Sequence, residues 1–398
     1  MAEQGTSAPA AVRLASLDAY RGLMLALMMG EALRFCGVAA AFPESGFWAF
    51  LCHHQDHVPW VGGSLHDQIQ PGFSFLVGAA LPFSLRSRLA RGESRVRMLA
   101  HALRRALILV VLGIVLRSLG RPQTYFTFED TLTQIGLGYV FLFALALRPR
   151  RDQWLALALI LIAFWAAFAL YPAPGPGFDW ESVGVPRDWP HLLTGFAAHW
   201  NKNENFSAQF DRWFLNLFPR EQVYVYNKGG YQTLSFIPTL GTMILGLLAG
   251  GVLRSERSNR EKRRWLVAAG LVALASGYLL GALGLCPIVK RIWTPSFALW
   301  SGGICFLFTA LFHEVLDVRK HQRWAFPLLV LGMNSIAAYC LDEAFMKPVS
   351  EALLRHFTRV PFDLIGPAFE PTLVGAAALA LIGLVLWWMQ RRKIFIRI

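Results

Sequence analysis

Residues 234–253 read LSFIPTLGTMILGLLAGGVL, twenty residues without one charged side chain. As a helix rising 1.5 Å per residue, such a stretch covers about 30 Å, the thickness of a bilayer's hydrocarbon core. Basic residues follow at once: Arg254, Arg257, Arg260, Lys262, Arg263 and Arg264. The same alternation of apolar run and basic loop extends in both directions along the chain. Ten spans can be read, near 17–39, 69–87, 99–118, 131–147, 153–171, 234–253, 265–284, 295–315, 325–345 and 372–391. Arg86, Arg88, Arg91, Arg95 and Arg97 follow the second span, and Arg148, Arg150 and Arg151 the fourth. Arg319, Lys320 and Arg323 follow the eighth, and Arg391, Arg392, Lys393 and Arg397 the tenth. Every strongly basic segment thus follows an even-numbered span, the pattern expected of cytoplasmic loops. The expected fold is all-α: a polytopic membrane helical bundle of about ten transmembrane helices with both termini cytoplasmic.

Composition agrees. The 398 residues are 55% hydrophobic and 16% charged, whereas soluble domains carry about 25% charged residues. The apolar runs are continuous, which argues against the alternating strands of a membrane β-barrel. The net charge of +13 would suit nucleic acid on a soluble domain, but here it sits in short loops between spans. It reads as a topology signal, with lipid rather than nucleic acid as the partner. Residues 1–12 hold no apolar h-region, so no cleaved signal peptide is expected and the first span serves for targeting. No repeat is visible, nor the paired interrupted helices of an inverted-repeat transporter. Residues 1–398 read as one domain. The five cysteines follow no zinc-site spacing. Cys52 and Cys286 fall near the outer face and can pair, although buried free thiols are the alternative.

The odd-numbered connections then face outward. The longest, 172–233, is too long for a plain linker and reads as a lid or a substrate loop. Within it, residues 208–218 place Phe210, Trp213, Phe214 and Leu217 at helical spacing, as in a surface helix. Asn205-Phe206-Ser207 fits a glycosylation sequon.

Chemistry concentrates in the other long outer connection, 40–68. His57-Val58-Pro59-Trp60-Val61-Gly62-Gly63-Ser64-Leu65-His66-Asp67 stands at the mouth of the second span. Gly62 and Gly63 allow a tight turn that tucks the imidazole back toward the membrane. A neutral histidine can act as general base or as acyl-accepting nucleophile, and Asp67 can orient it. His53, His54, His66 and Asp56 lie near, but their spacing matches no zinc motif, so no metal is expected. In the first span, Ser16 can cap the helix, and Asp18 and Arg21 share a face and can pair. Arg21 offers the alternative of a planar fork for a phosphate. Glu31 and Arg34, deeper in that span, should face a polar interior. Arg104 and Arg105 open the third span, where arginines either snorkel to headgroups or receive an anion. Lys290 and Arg291 precede Trp293, as an interfacial anchor or as ligand contacts. Asn334 and Ser335 lie within the ninth span, bonding neighbouring helices or lining a site.

These residues carry a resemblance. Ser16-Leu17-Asp18 with Arg21-Gly22, then His57, Trp60, Gly62, Asp67, Pro71, Phe75 and Gly78, resemble the heparan-α-glucosaminide N-acetyltransferase family. Leu103-Arg104-Arg105-Ala106-Leu107, residues 233–250, Ile292-Trp293-Thr294-Pro295-Ser296-Phe297 and Gly332-Met333-Asn334-Ser335 extend it along nearly the whole chain, in family order. The resemblance implies a membrane acetyltransferase of bacterial inner-membrane type. It would take acetyl from cytoplasmic acetyl-CoA and deliver it to an amine or hydroxyl of a sugar or glycan on the far side. The family's active-site histidine falls on His57. Asp67 and Glu31 then join it as catalytic candidates. Arg21, Arg104, Arg105, Asn334 and Ser335 become candidates for binding acetyl-CoA, and Trp60, Lys290 and Arg291 for binding the acceptor. A homodimer is compatible with the family. The chain departs from the family at Ala32, where an asparagine is common, and at Thr133-Gln134-Ile135. Two other functions fit the composition: a transporter or flippase of a glycan or lipid-linked sugar, and a non-enzymatic subunit docking a partner through 172–233.

Overall fold

In hydrocarbon a backbone must satisfy its own polar groups, so each apolar run forms a helix. A computed structural model describes residues 14–357 and 359–396. The basic Arg397 and the N-terminal stretch 1–13, read as lacking an apolar h-region, lie outside the described residues. In chain order the α-helices are α1 (Ala15–Met29), α2 (Phe35–Ala41), α3 (Gly46–Gln55), α4 (Ile69–Ala90), α5 (Arg95–Ser118), α6 (Thr131–Ala146) and α7 (Arg150–Leu170). They continue with α8 (Phe206–Phe214), α9 (Phe236–Leu253), α10 (Asn259–Ala282), α11 (Pro295–Phe312), α12 (Phe326–Met333), α13 (Ser335–Phe357) and α14 (Glu370–Arg391). Among the described residues the only β pairing is an isolated bridge, Val61 to Val289.

Helices occupy all ten stretches read as spans. Six of them are long and apolar enough to cross a bilayer, and two bent pairs raise the number to eight. α4 and α6 fall short of that measure of length and apolarity. The bent pairs correct the expectation of uninterrupted spans. α1 and α2 meet at 44°, and α12 and α13 at 84°. The first break passes through Arg34, whose φ is 48°; the second passes through Asn334. Neither site carries the proline that would have announced it.

The uncharged stretch 234–253 is the hub. α9 is buried along most of its length, while α5, α7, α10 and α14 leave most of theirs exposed. Glycines let α4 lie against it. A Cβ on Gly246 would sit 1.9 Å from the Phe75 carbonyl oxygen, and one on Gly250 2.2 Å from that of Ala79. This is small-xxx-small packing, in which backbones approach closely where apolar surface alone gives little drive.

Three further expectations are corrected. Cys52 is bonded to Cys36, not Cys286, because α2 and α3 bring those two together; Cys286 is a buried free thiol. Ser16 does not cap α1: its N–H donates to Asp317 Oδ1 at 3.3 Å. Asn205 is 1% exposed and caps α8, accepting from the Ser207 and Ala208 N–H groups at 3.0 Å, so its amide is not presented for glycosylation. The outer segment is ordered by such contacts. Trp200 is fully buried within it, and Asp211 accepts from the Thr233 N–H at 2.9 Å.

Two stability outcomes are expected. Gly246→Leu forces backbone against backbone and costs about 1–3 kcal/mol or more; an unchanged thermal midpoint in detergent would refute the packing. Asp211 is pushed up to about 7 by burial, above its unfolded value, so its contribution is intact at low pH and lost as pH rises through 7. Asp211→Asn should therefore gain on wild type as pH climbs from about 4 to 7 and then hold its lead. A gap that narrows over that range would contradict this.

Candidate active site

The site grows from the turn before α4. Asp67 lies in the 3-10 turn His66–Gln68, and its side chain is 1% exposed. A buried carboxylate needs donors. Oδ2 accepts from Ser64 N–H at 2.9 Å and Val58 N–H at 3.3 Å, so the loop wraps around it. Oδ1 stands 2.7 Å from His57 Nδ1. The glycine turn does tuck the imidazole inward, and a second loop closes over it. Gly62 N–H donates to Ile288 O at 2.9 Å, beside the Val61–Val289 bridge. This brings Lys290, 6% exposed, to 3.1 Å from His57 Nε2 and 3.9 Å from Asp67 Oδ1.

Electrostatics follow from this packing. Burial works to raise Asp67, but its bond to His57 and the Lys290 charge win and hold it near 2. His57 is held below the ordinary imidazole value, first by burial and then by Lys290, against the opposing pull of Asp67. The result is a fixed anion, a neutral imidazole whose Nδ1–H points at it, and an Nε2 that meets Lys290 Nζ and can take a proton or an acyl group once that contact gives way.

Glu31 does not pair with Arg34. It meets His66 Nε2 at 2.7 Å, and the His66 ring lies edge-on to His57 with centroids 4.5 Å apart. Trp60 is buried and donates to Trp200 O at 3.0 Å; it pins the histidine loop to the outer segment and does not line the cavity. Arg291 donates to Gly229 O at 2.7 Å and lies over Tyr231. Trp293 is 1% exposed and donates to Thr242 at 3.1 Å, which overturns the interfacial-anchor reading of the 290–293 stretch.

His57, His66, Glu31 and Lys290 line a cavity of about 630 Å³, together with Arg117, Glu129, Asp130, Thr131, Tyr231, Tyr339 and Glu343. A second cavity, of about 590 Å³, is lined by Asp18, Arg21, Arg105 and Ser335 with mostly apolar walls. Thr131 and Tyr339 line both. Arg104 stands apart from the second cavity, in an adjoining recess of about 280 Å³ with Arg88, His101 and Arg105. Arg21 pairs with Asp18 at 3.2 Å, as expected. Arg105 donates to the Tyr139 hydroxyl at 3.1 Å, and its Nε is buried without a hydrogen-bond partner among the described residues. Asn334 is engaged elsewhere: its amide holds Ile394 O at 2.8 Å and Ile396 N–H at 3.0 Å. Gln134, at a position of departure, ties the start of α6 to Thr233 O at 3.1 Å.

Sequence reasoning missed Tyr231, Arg117, Glu129, Asp130 and Tyr339. The Glu129-Asp130 pair before an apolar run was a visible signal of a capped helix start, and Asp130 does cap α6, accepting from Leu132 N–H at 2.9 Å. Tyr339 gave none, being one aromatic in an apolar run.

The chain is similar to heparan-α-glucosaminide N-acetyltransferases. It is 25% identical to the human protein over 374 residues, covering 84% of this chain and 53% of that protein. Against the mouse protein it is 24% identical over 377 residues, covering 84% and 54%. The chain spans about half the length of these curated relatives. No family model matches it.

The electrostatics can be tested directly. In an NMR titration of labelled histidine, His57 should protonate below its ordinary value of about 6.5. Lys290→Met removes a lowering influence and should move the midpoint up. Asp67→Asn removes a raising one and should move it down. Shifts in the same direction would refute the arrangement.

Proposed function

We propose that the protein is a membrane acetyltransferase. It takes an acetyl group from acetyl-CoA on the cytoplasmic side and delivers it to an amine or hydroxyl of a sugar or glycan on the other. One observation carries this reading: a buried Asp67, paired with a half-buried His57, opens into a cavity that shares a wall with an arginine-lined one. The similarity to N-acetyltransferases supports the acyl chemistry.

The orientation has two supports. α4 is 22 residues long, about 33 Å, with the His57 site at its start and the basic Arg86–Arg97 region at its end. Basic loops mark the cytoplasm. The Cys36–Cys52 disulfide shares the His57 end, and disulfides persist in oxidising compartments.

The arginine cavity suits acetyl-CoA as substrate. Arg105, with its unpartnered Nε, and Arg21 offer donors to phosphate, and the apolar walls suit the pantetheine arm. In the histidine cavity, Asp67 fixes the Nδ1–H tautomer. His57 Nε2 takes the acceptor's proton as its nitrogen or oxygen attacks the thioester carbonyl. The carbon–sulfur bond then breaks, and CoA leaves to take a proton as the thiol. The same Nε2 serves a two-step route in which it first accepts the acetyl group and then yields it to the acceptor. Lys290 faces the carbonyl oxygen as charge builds there.

The bent helix pairs also favour a second reading, a glycan or lipid-linked sugar transporter. It requires sugar movement without acetyl-CoA consumption. The deciding assay uses vesicle-reconstituted protein, labelled acetyl-CoA and a panel of amino sugars. Acetylated sugar should form, and His57→Ala should slow it by about 10²-fold or more. An undiminished rate in that variant would end the assignment.

A further inference from the structure

We infer that Tyr339 is the seal between the two cavities, set against Thr131, and that the acyl donor's arm displaces it during transfer. What displaces it rests on the function proposed above; the seal itself does not. Among the described residues, only these two line both cavities. Tyr339 contributes the larger side chain, and it is 6% exposed. On one side the walls hold Arg117, Asp130 and Glu343, and on the other Arg21 and Arg105. Both chambers thus carry charged groups, and Tyr339 with Thr131 is the wall they share.

Such a barrier has two duties in a bilayer. If it were missing, ionisable walls on both sides would pass protons across the membrane. Water would also reach a thioester waiting in the arginine cavity. It would add to the carbonyl, the carbon–sulfur bond would break, and acetic acid and the CoA thiol would form without any acceptor. Excluding water from a reactive group is a recognised duty of a closed site.

The position of Tyr339 suits a movable seal. It is the fifth residue of α13, directly after the 84° bend at Asn334. Asn334 has a non-helical backbone, φ −122° and ψ 41°, and is held by the 394–396 segment. The seal would open by rotation of the start of α13 about this bend, which carries the ring out of line.

The test uses the full chain in phosphatidylethanolamine–phosphatidylglycerol vesicles with a trapped pH dye. Under an imposed pH gradient, wild type and Tyr339→Phe should stay tight while Tyr339→Ala leaks protons. In the same vesicles, acceptor-independent acetyl-CoA hydrolysis by Tyr339→Ala should rise about tenfold or more relative to transfer. Should Tyr339→Ala fail to fold, Tyr339→Leu is read in the same way. A folded variant that remains proton-tight overturns the seal. A leak in that variant, with no acetyl transfer by wild type, supports the seal and removes the function on which the donor's role rests.

Discussion

The structure turns on one buried charge. Asp67 is almost wholly removed from solvent, and an ion in such a place persists only if donors surround it. The chain supplies them from its own preceding loop: Ser64 and Val58 through the backbone, and His57 through its ring. That requirement draws residues 57–67 into a knot at the mouth of α4 and leaves the imidazole facing inward. Lys290 approaches from a loop more than two hundred residues later because the Val61–Val289 bridge joins the two loops. The arrangement around His57 is thus a consequence of satisfying one carboxylate.

The rest of the molecule holds that knot at a fixed height above the arginines. α4 joins the two ends, and its close approach to α9 through Gly246 and Gly250 leaves it little freedom to slide or tilt. Rigidity there contrasts with the bends at Arg34 and Asn334, which border the cavities. The bundle combines a stiff post with two jointed walls, a division that suits passage of a group through a protein without an open channel.

Much of this was legible from residue order. Twenty uncharged residues have few folds open to them, and basic loops after every second apolar run set an expected orientation. His57 and Asp67 could be paired because a glycine turn lies between them. What escaped depended on contacts between distant segments. Tyr231 reaches the site through loop packing that no local pattern encodes, and Lys290, named as a ligand contact, gave no sign that it would stand against His57. The breaks in the first and ninth spans carry no proline, so periodicity ran straight through them. Cys36 gave no sign of its partner because α2 and α3 fold back on each other only in three dimensions. Asn205 and Trp293, read as exposed, are buried because the outer segment is itself packed.

The most direct test of the account is a structure determined with a non-hydrolysable acetyl-CoA analogue bound in a membrane. The account requires the phosphates beside Arg21 and Arg105, the arm passing between Thr131 and Tyr339, and the acyl carbon within about 3.5 Å of His57 Nε2. An analogue whose acyl end stays on the arginine side of Tyr339, or an imidazole turned away from Asp67 into open solvent, would contradict it.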